Sequence, residues 1–196
     1  VRTLTRPPTL PDEAYALLLD WLPTNDDPER PVVTLATVDE DGAPDARSVL
    51  LSELDRKGVY VHTDASSRKV AQLTANPAVA VVARWPERQR QLVVRGVAEP
   101  APAGETDRAY ARRSLYLRRL AWLNTTSVAA MPVDERRAAW ATFAATHQVL
   151  KPPPTWVGFL VRPTSLTFWT GDDASVSHRR EHRFDGTDWT ITELPG

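Results

Sequence analysis

Apolar and polar positions along this chain fall into short blocks whose period changes several times. After a proline-punctuated stretch over residues 1–12, read as extended, Ala14, Leu17, Leu18 and Trp21 recur at helical spacing behind Pro11-Asp12-Glu13 and predict a helix. A loop from Pro23 to Pro31 follows. Val32 to Val38 reads as a buried strand, Asp39-Glu40-Asp41-Gly42 as a hairpin turn and Ala46 to Leu54 as the returning strand. On that second strand a period of two sets Arg47, Val49 and Leu51 on one face and Ser48, Leu50 and Ser52 on the other.

Asp55-Arg56-Lys57-Gly58 turns into a strand over Val59 to Thr63, and a helix from Ser67 to Ala75 stops at Asn76, because a residue before proline disfavours the helical region. Ala78 to Trp85 is a continuous apolar strand, and WPERQ joins it to Gln91–Ala98, where Gln91, Val93 and Arg95 alternate with Leu92, Val94 and Val97. The pattern then turns helical from Glu105 to about Leu123, passes through Asn124 to Ser127, and turns helical again behind Pro132, from Val133 to His147. Strands over Trp156–Val161, Ser165–Thr170, His178–Phe184 and Trp189–Leu194 complete the chain. Seven to nine antiparallel strands with short turns predict a mainly β fold, a β-barrel with flanking helices, since closure leaves no bare edges. Residues 1–196 read as one domain, with residues 1–30 an N-terminal extension and helix.

Composition narrows the chemistry. At 196 residues the chain can bury a substantial core. No apolar run approaches the roughly 18 residues of a membrane span, and VRTLTRPPTLPDE has no apolar signal core, so a cytoplasmic location without membrane contact is expected. The absence of cysteine removes disulfides, thiolate catalysis and thiolate-bound metal. A net charge of −1 gives no bulk attraction to nucleic acid. Of the 24 basic residues only Lys57, Lys69 and Lys151 are lysines, a bias that lowers the weight of arginine clusters and raises that of Lys69. His178 and His182 are four apart on a strand, about 13 Å, and no H-E-x-x-H or carboxylate set accompanies them, so no metal site is expected. No G-x-S-x-G elbow occurs, and no Gly-rich phosphate loop either, so a nucleotide would have to be held by side chains and helix ends.

One place is suited to that. The helix opening at Ser67 carries Arg68 and Lys69 in its first turn, where the macrodipole already presents partial positive charge. The Ser67 hydroxyl, the first-turn N–H groups and the two cations together suit a phosphate. Arg47, sharing a strand face with Val49 and Leu51, is either a ligand at a barrel mouth or an edge residue reaching water. Its proximity to Ser67-Arg68-Lys69 favours the former. The arginines interleaved along 105–123 are equally explained by a solvated amphipathic helix.

ARSVLL followed by D-x-x-G, SSRKVAQL with a helix-ending NP, ERQRQLVVRG, FWTG, Arg179 and a closing tryptophan strand resemble the pyridoxamine 5'-phosphate oxidase family of FMN-binding split barrels, over roughly residues 30 to 196. The resemblance implies a homodimer with FMN in two clefts at the subunit interface. It carries the family's FMN pattern onto Arg47, Ser48, Val49, Leu50, His62, Thr63, Ser67, Arg68, Lys69, Gln91, Thr126, Ser127, Trp169 and Arg179. His62 stands where the family has an aromatic, and Thr126 where it has glutamine.

The substrate pattern diverges. The family's lysine after the ARSVLL strand is Ser52, and the arginine and histidine of its R-x-H motif are Ser175 and Ser177. Tyr110 and Arg113 match its tyrosine and arginine, but its serine falls near Leu117 with one residue deleted. Each lost charged hydrogen bond is worth roughly 1.5 to 3 kcal/mol. The implied protein is therefore an FMN-dependent oxidoreductase that passes a hydride from a small substrate to flavin N5, with reoxidation by oxygen or another acceptor. That substrate is expected to be other than pyridoxamine 5'-phosphate, or bound differently. Alternatives are a genuine pyridoxamine/pyridoxine 5'-phosphate oxidase with a remodelled site, or a barrel that binds deazaflavin F420 or haem or only stores flavin. No catalytic side chain is assigned.

Overall fold

The computed structural model describes residues 9–196; the extended reading of residues 1–8 lies outside the described residues. Among the described residues eight strands form one sheet: β1 (Val32–Val38), β2 (Pro44–Asp55), β3 (Gly58–Asp64), β4 (Ala78–Trp85), β5 (Arg90–Pro100), β6 (Trp156–Thr170), β7 (His178–Phe184) and β8 (Trp189–Pro195). Their order is β3-β2-β1-β4-β5-β6-β7-β8, and β3 also pairs with β6. The first six in that order therefore close into an antiparallel barrel, from which β7 and β8 extend.

β6 makes the closure. Its first residues pair with β3, from Trp156↔Asp64 to Val161↔Val59, while Phe159 to Thr170 pair with β5 and Ser165 to Thr170 with β7. Sequence reading divides this segment into two strands at Pro163-Thr164; it is one strand of 15 residues. The register slips where Arg95 faces Ser165 but Gly96 faces Pro163, leaving Thr164 as an extra residue. A bulge of that kind tolerates proline inside a ladder. Gly96 is required opposite it, since a Cβ there would lie 2.0 Å from the carbonyl oxygen of Arg162.

Leu35, Leu51, Val59, Val94, Val161 and Leu166 are fully buried within the main core. α1 (Asp12–Trp21) lays Ala14, Leu18 and Trp21 on this core at the spacing the sequence displays. The Trp21 ring stands edge-on to Phe168 and Trp85, at 5.2 and 5.9 Å. α2 (Arg68–Ala75) follows β3 and ends at Asn76, before Pro77, as the pre-proline rule requires.

The helical stretch after β5 is not continuous. α3 (Ala103–Arg112) and α4 (Leu115–Leu123) are separated by Arg113 and Ser114, both with extended backbone. Ser114 Oγ accepts from Leu117 N at 3.3 Å, so a capping serine inside an apolar-periodic run restarts the helix. The segment read as a link at 124–127 carries part of the short helix α5 (Thr126–Ala129), capped by Thr125, and α6 (Val133–Thr146) follows. Tyr110, Leu150 and Trp156 form a second, smaller core. No helix among the described residues is long and apolar enough to cross a membrane.

Candidate functional site

A cleft of about 570 Å³ lies where β2, β3 and the start of α2 face α4. Ser48, Val49 and Leu50 come from β2, His62 and Thr63 from β3, and Ser67, Arg68 and Lys69 from the opening of α2. Arg113, Leu117, Thr126 and Trp156 line it from the other elements. Nine of the fourteen residues expected to hold cofactor are thus brought to one cavity of a size that suits a small ligand.

Lys69 is its central charge. Its ammonium donates to Ser67 Oγ at 2.5 Å and Thr63 Oγ1 at 3.1 Å, both uncharged. Burial, and then the nearby Arg47 guanidinium, lower its pKa. Ser67 occupies the N-cap position of α2, as expected, but its hydroxyl serves Lys69 and does not cap the helix.

Arg47 stands behind the cleft. It donates to Thr37 Oγ1 (2.6 Å), Gln72 Oε1 (2.7 Å) and the Leu35 carbonyl (3.3 Å), and pairs with Asp45 at 2.7 Å. Arg68, 80 % exposed, reaches the same carboxylate at 3.2 Å. The hydrogen bond from Gln72, then Arg47 and Arg68, hold the Asp45 carboxyl below its ordinary range. The three cations share one neighbourhood, but Asp45 already answers part of their charge. Sequence reading missed it, although it lies two residues before Arg47 and so on the same strand face.

His62 is a wall of the cleft backed by a buried acid. Its Nε2 lies 3.1 Å from Glu105 Oε2, and its ring stacks on Trp156 at 5.3 Å and 9°. Gly158, its cross-strand partner, makes room: a Cβ there would come within 2.7 Å of Nε2. Glu105 and Trp156 were not singled out in sequence, since their contacts with His62 span 43 and 94 positions and leave no local signal. Arg113 sits over the same indole at 4.4 Å, and burial pushes its pKa down to about 10.

Gln91, Trp169 and Arg179 lie elsewhere. They form one row across three strands, Gln91↔Trp169 on β5–β6 and Trp169↔Arg179 on β6–β7. With Ser177 they line a second cleft of about 540 Å³ that shares no residue with the first. Ser127 lines neither, its hydroxyl lying 3.0 Å from that of Thr125. Ser175 is exposed and also lines neither. Tyr110 is buried, donating to the Arg118 carbonyl at 3.1 Å.

Ser52 marks a third, smaller space of about 110 Å³ beside the first cleft, with Leu50, Arg113 and Leu117 common to both. Here β2 and β3 slip register between Leu51 and Glu53, and the bulge turns Ser52 and Glu53 both to this pocket. Glu53 is buried and held by Arg112 at 3.1 Å and Arg108 at 3.7 Å.

A sequence model of the family described as pyridoxamine 5'-phosphate oxidase matches residues 25–150. The chain is 38% identical over 196 residues to the pyridoxine/pyridoxamine 5'-phosphate oxidase of Maricaulis maris, covering 93% of this chain and 86% of that one. It is 35% identical over 167 residues to the Haemophilus influenzae protein of the same name, covering 85% and 80%. Among solved structures, PhzG from Burkholderia lata, in complex with tetrahydrophenazine-1-carboxylic acid, aligns with a TM-score of 0.76 at 26% identity over 97% of this chain and 94% of that one. A pyridoxamine 5'-phosphate oxidase-related, FMN binding protein from Nostoc punctiforme aligns with a TM-score of 0.60 at 16% identity, over 93% and 96%, and shares the fold.

Proposed function

The chain belongs to the pyridoxamine 5'-phosphate oxidase family, and from there we propose that it is an FMN-dependent oxidoreductase acting on a small substrate. The observation that carries this is Lys69: a partly buried ammonium at a helix N-terminus, bonded only to hydroxyls, on the wall of a ligand-sized cleft. That donor set fits a phosphate monoester. FMN, when bound, supplies the two-electron acceptor, to be reoxidised by oxygen or another acceptor.

On this reading Lys69, Ser67 and Thr63 hold the phosphate, and Arg68 approaches it from solvent. Arg47 fixes Asp45 and Gln72 behind them. Ser48, Val49, Leu50, His62 and Thr126 shape the rest of the cavity. Gln91, Trp169 and Arg179 line a separate cleft, and they would complete the site from a second copy of the chain. The functional unit is accordingly a homodimer with two equivalent composite sites.

Lys69→Ala tests the assignment. It removes one charge-assisted hydrogen bond, so the Kd for FMN, followed by quenching of flavin fluorescence, should rise about 10- to 100-fold. An unchanged Kd would overturn the phosphate site.

For the substrate, Ser52, Ser175 and Ser177 lack the charges that a phosphorylated pyridine would meet in the family pattern, and we place it outside pyridoxamine 5'-phosphate in its usual pose. PhzG, which is titled as a complex with a carboxylated, partly reduced heterocycle, brings that class within the proposal. The names of the sequence relatives favour a second reading, a genuine pyridoxine/pyridoxamine 5'-phosphate oxidase with a remodelled site. Oxygen uptake with pyridoxamine 5'-phosphate separates the two. Rapid saturable turnover establishes the second, and none with the FMN-loaded protein excludes it.

A further inference from the structure

Arg68 stands on the ridge between two clefts. On one side it lines the larger cleft with Ser67 and Lys69. On the other it borders a cleft of about 470 Å³ walled by Asp45, the β1–β2 turn and one face of α2. Its exposed guanidinium pairs on that second side with Asp45 Oδ2, at 3.2 Å.

Asp45 is held where it is. The same Oδ2 accepts from Gln72 Nε2 at 2.9 Å and pairs with Arg47 at 2.7 Å. Both partners are fixed in turn, since Thr37 Oγ1 donates to Gln72 Oε1 and accepts from Arg47, and the Leu35 carbonyl accepts from Arg47 as well. Three donors thus converge on one carboxylate oxygen, and Arg68 brings the third of them on an exposed side chain. The charge of Asp45 also reaches Lys69, where it opposes the lowering of the ammonium pKa by burial and Arg47.

A fixed carboxylate on one side of an exposed guanidinium and a phosphate monoester on the other draw on the same donors. We propose that Asp45 is a specificity-determining residue of the cofactor site, competing with the flavin phosphate for Arg68, which rests on the reading of the larger cleft as the FMN site. Binding then exchanges one ion pair of Arg68 for another and gains only the difference between them. The protein accordingly distinguishes FMN from riboflavin, which has no phosphate, less sharply than its cations alone would.

Quenching of flavin fluorescence on titration of the flavin-free protein, with FMN and separately with riboflavin, reads both affinities. Asp45→Asn keeps an oxygen acceptor for Gln72 and Arg47 and removes the charge. It should tighten FMN about 2- to 5-fold, the range of an exposed ion pair, and leave riboflavin unchanged. In an Arg68→Gln background the same substitution should bring no gain, because the contested donor is gone. A merely structural effect of Asp45→Asn would move both flavins alike and persist in that background.

Unchanged or weaker FMN binding by Asp45→Asn overturns the proposal, as does an equal shift for riboflavin or a gain that survives Arg68→Gln. Should Asp45→Asn fail to fold, a crystal structure of the wild type with FMN decides. Arg68 on the phosphate supports the exchange, and Arg68 still on Asp45 overturns it. Failure of the wild type to bind FMN refutes the larger-cleft reading instead, so the two failures are distinguishable.

Discussion

His182, near the middle of β7, is fully buried beside Phe168, and both ring nitrogens lack a partner among the described residues. Burial lowers its pKa from an ordinary 6.5. Between that value and the lowered one the unfolded chain holds a proton that the folded chain does not, so stability is lost as pH falls through this window. The urea midpoint should drop from pH 7.5 to pH 5.5, and His182→Leu should drop less. An equal drop in both would assign the loss to another group. Such a residue is visible in sequence only as a histidine in a strand; its burial comes from the sheet. The same holds for Asp45. Lys69 was legible because a cation in the first turn of a helix is locally unfavourable, whereas the Asp45 that tempers its neighbours depends on how β2 lies against α2.

Elements whose limits are set by local chemistry were readable, and those set by partners were not. β1 and β4 have the ends their apolar runs and turns predict, and β7, a charged strand, has the ends read for it from His178 to Phe184. β6 does not, because Pro163 is accommodated only by the slip opposite Gly96. Gly96→Ala would force the Arg162 carbonyl aside and should cost about 1 to 3 kcal/mol or more, read as a lower denaturation midpoint with the same slope. The break between α3 and α4 was concealed for a different reason. Leucines and arginines keep helical spacing across it, and only Ser114, a good cap and an ordinary helix surface residue alike, marks the restart. Ser114→Ala should lower stability by about 0.5 to 2 kcal/mol.

At the scale of the molecule, the strand count and the need to close a sheet were evident from sequence, while the β3–β6 seam was not, being a pairing across about a hundred residues. The proposed cofactor set divides between two clefts of one chain for an equally non-local reason. A composite site makes a sharp prediction. Lys69→Ala and Arg179→Ala proteins, each deficient in FMN alone, should regain about one quarter of the normal sites when their subunits are exchanged at equal ratio, because each mixed dimer holds one intact site. No regain on exchange, measured by bound flavin, would mean that each site is built within one chain.

The seam strand also dictates when this chain can become a protein. A ribosome that has released everything up to residue 150, where the match to the family model ends, has delivered most of the larger cleft. It has also left the outer rims of β3 and β5 without neighbours, since both wait for residues 156–170. Nascent chains and C-terminal truncations of that length should therefore stick to one another or be degraded, and should not persist as partly active fragments.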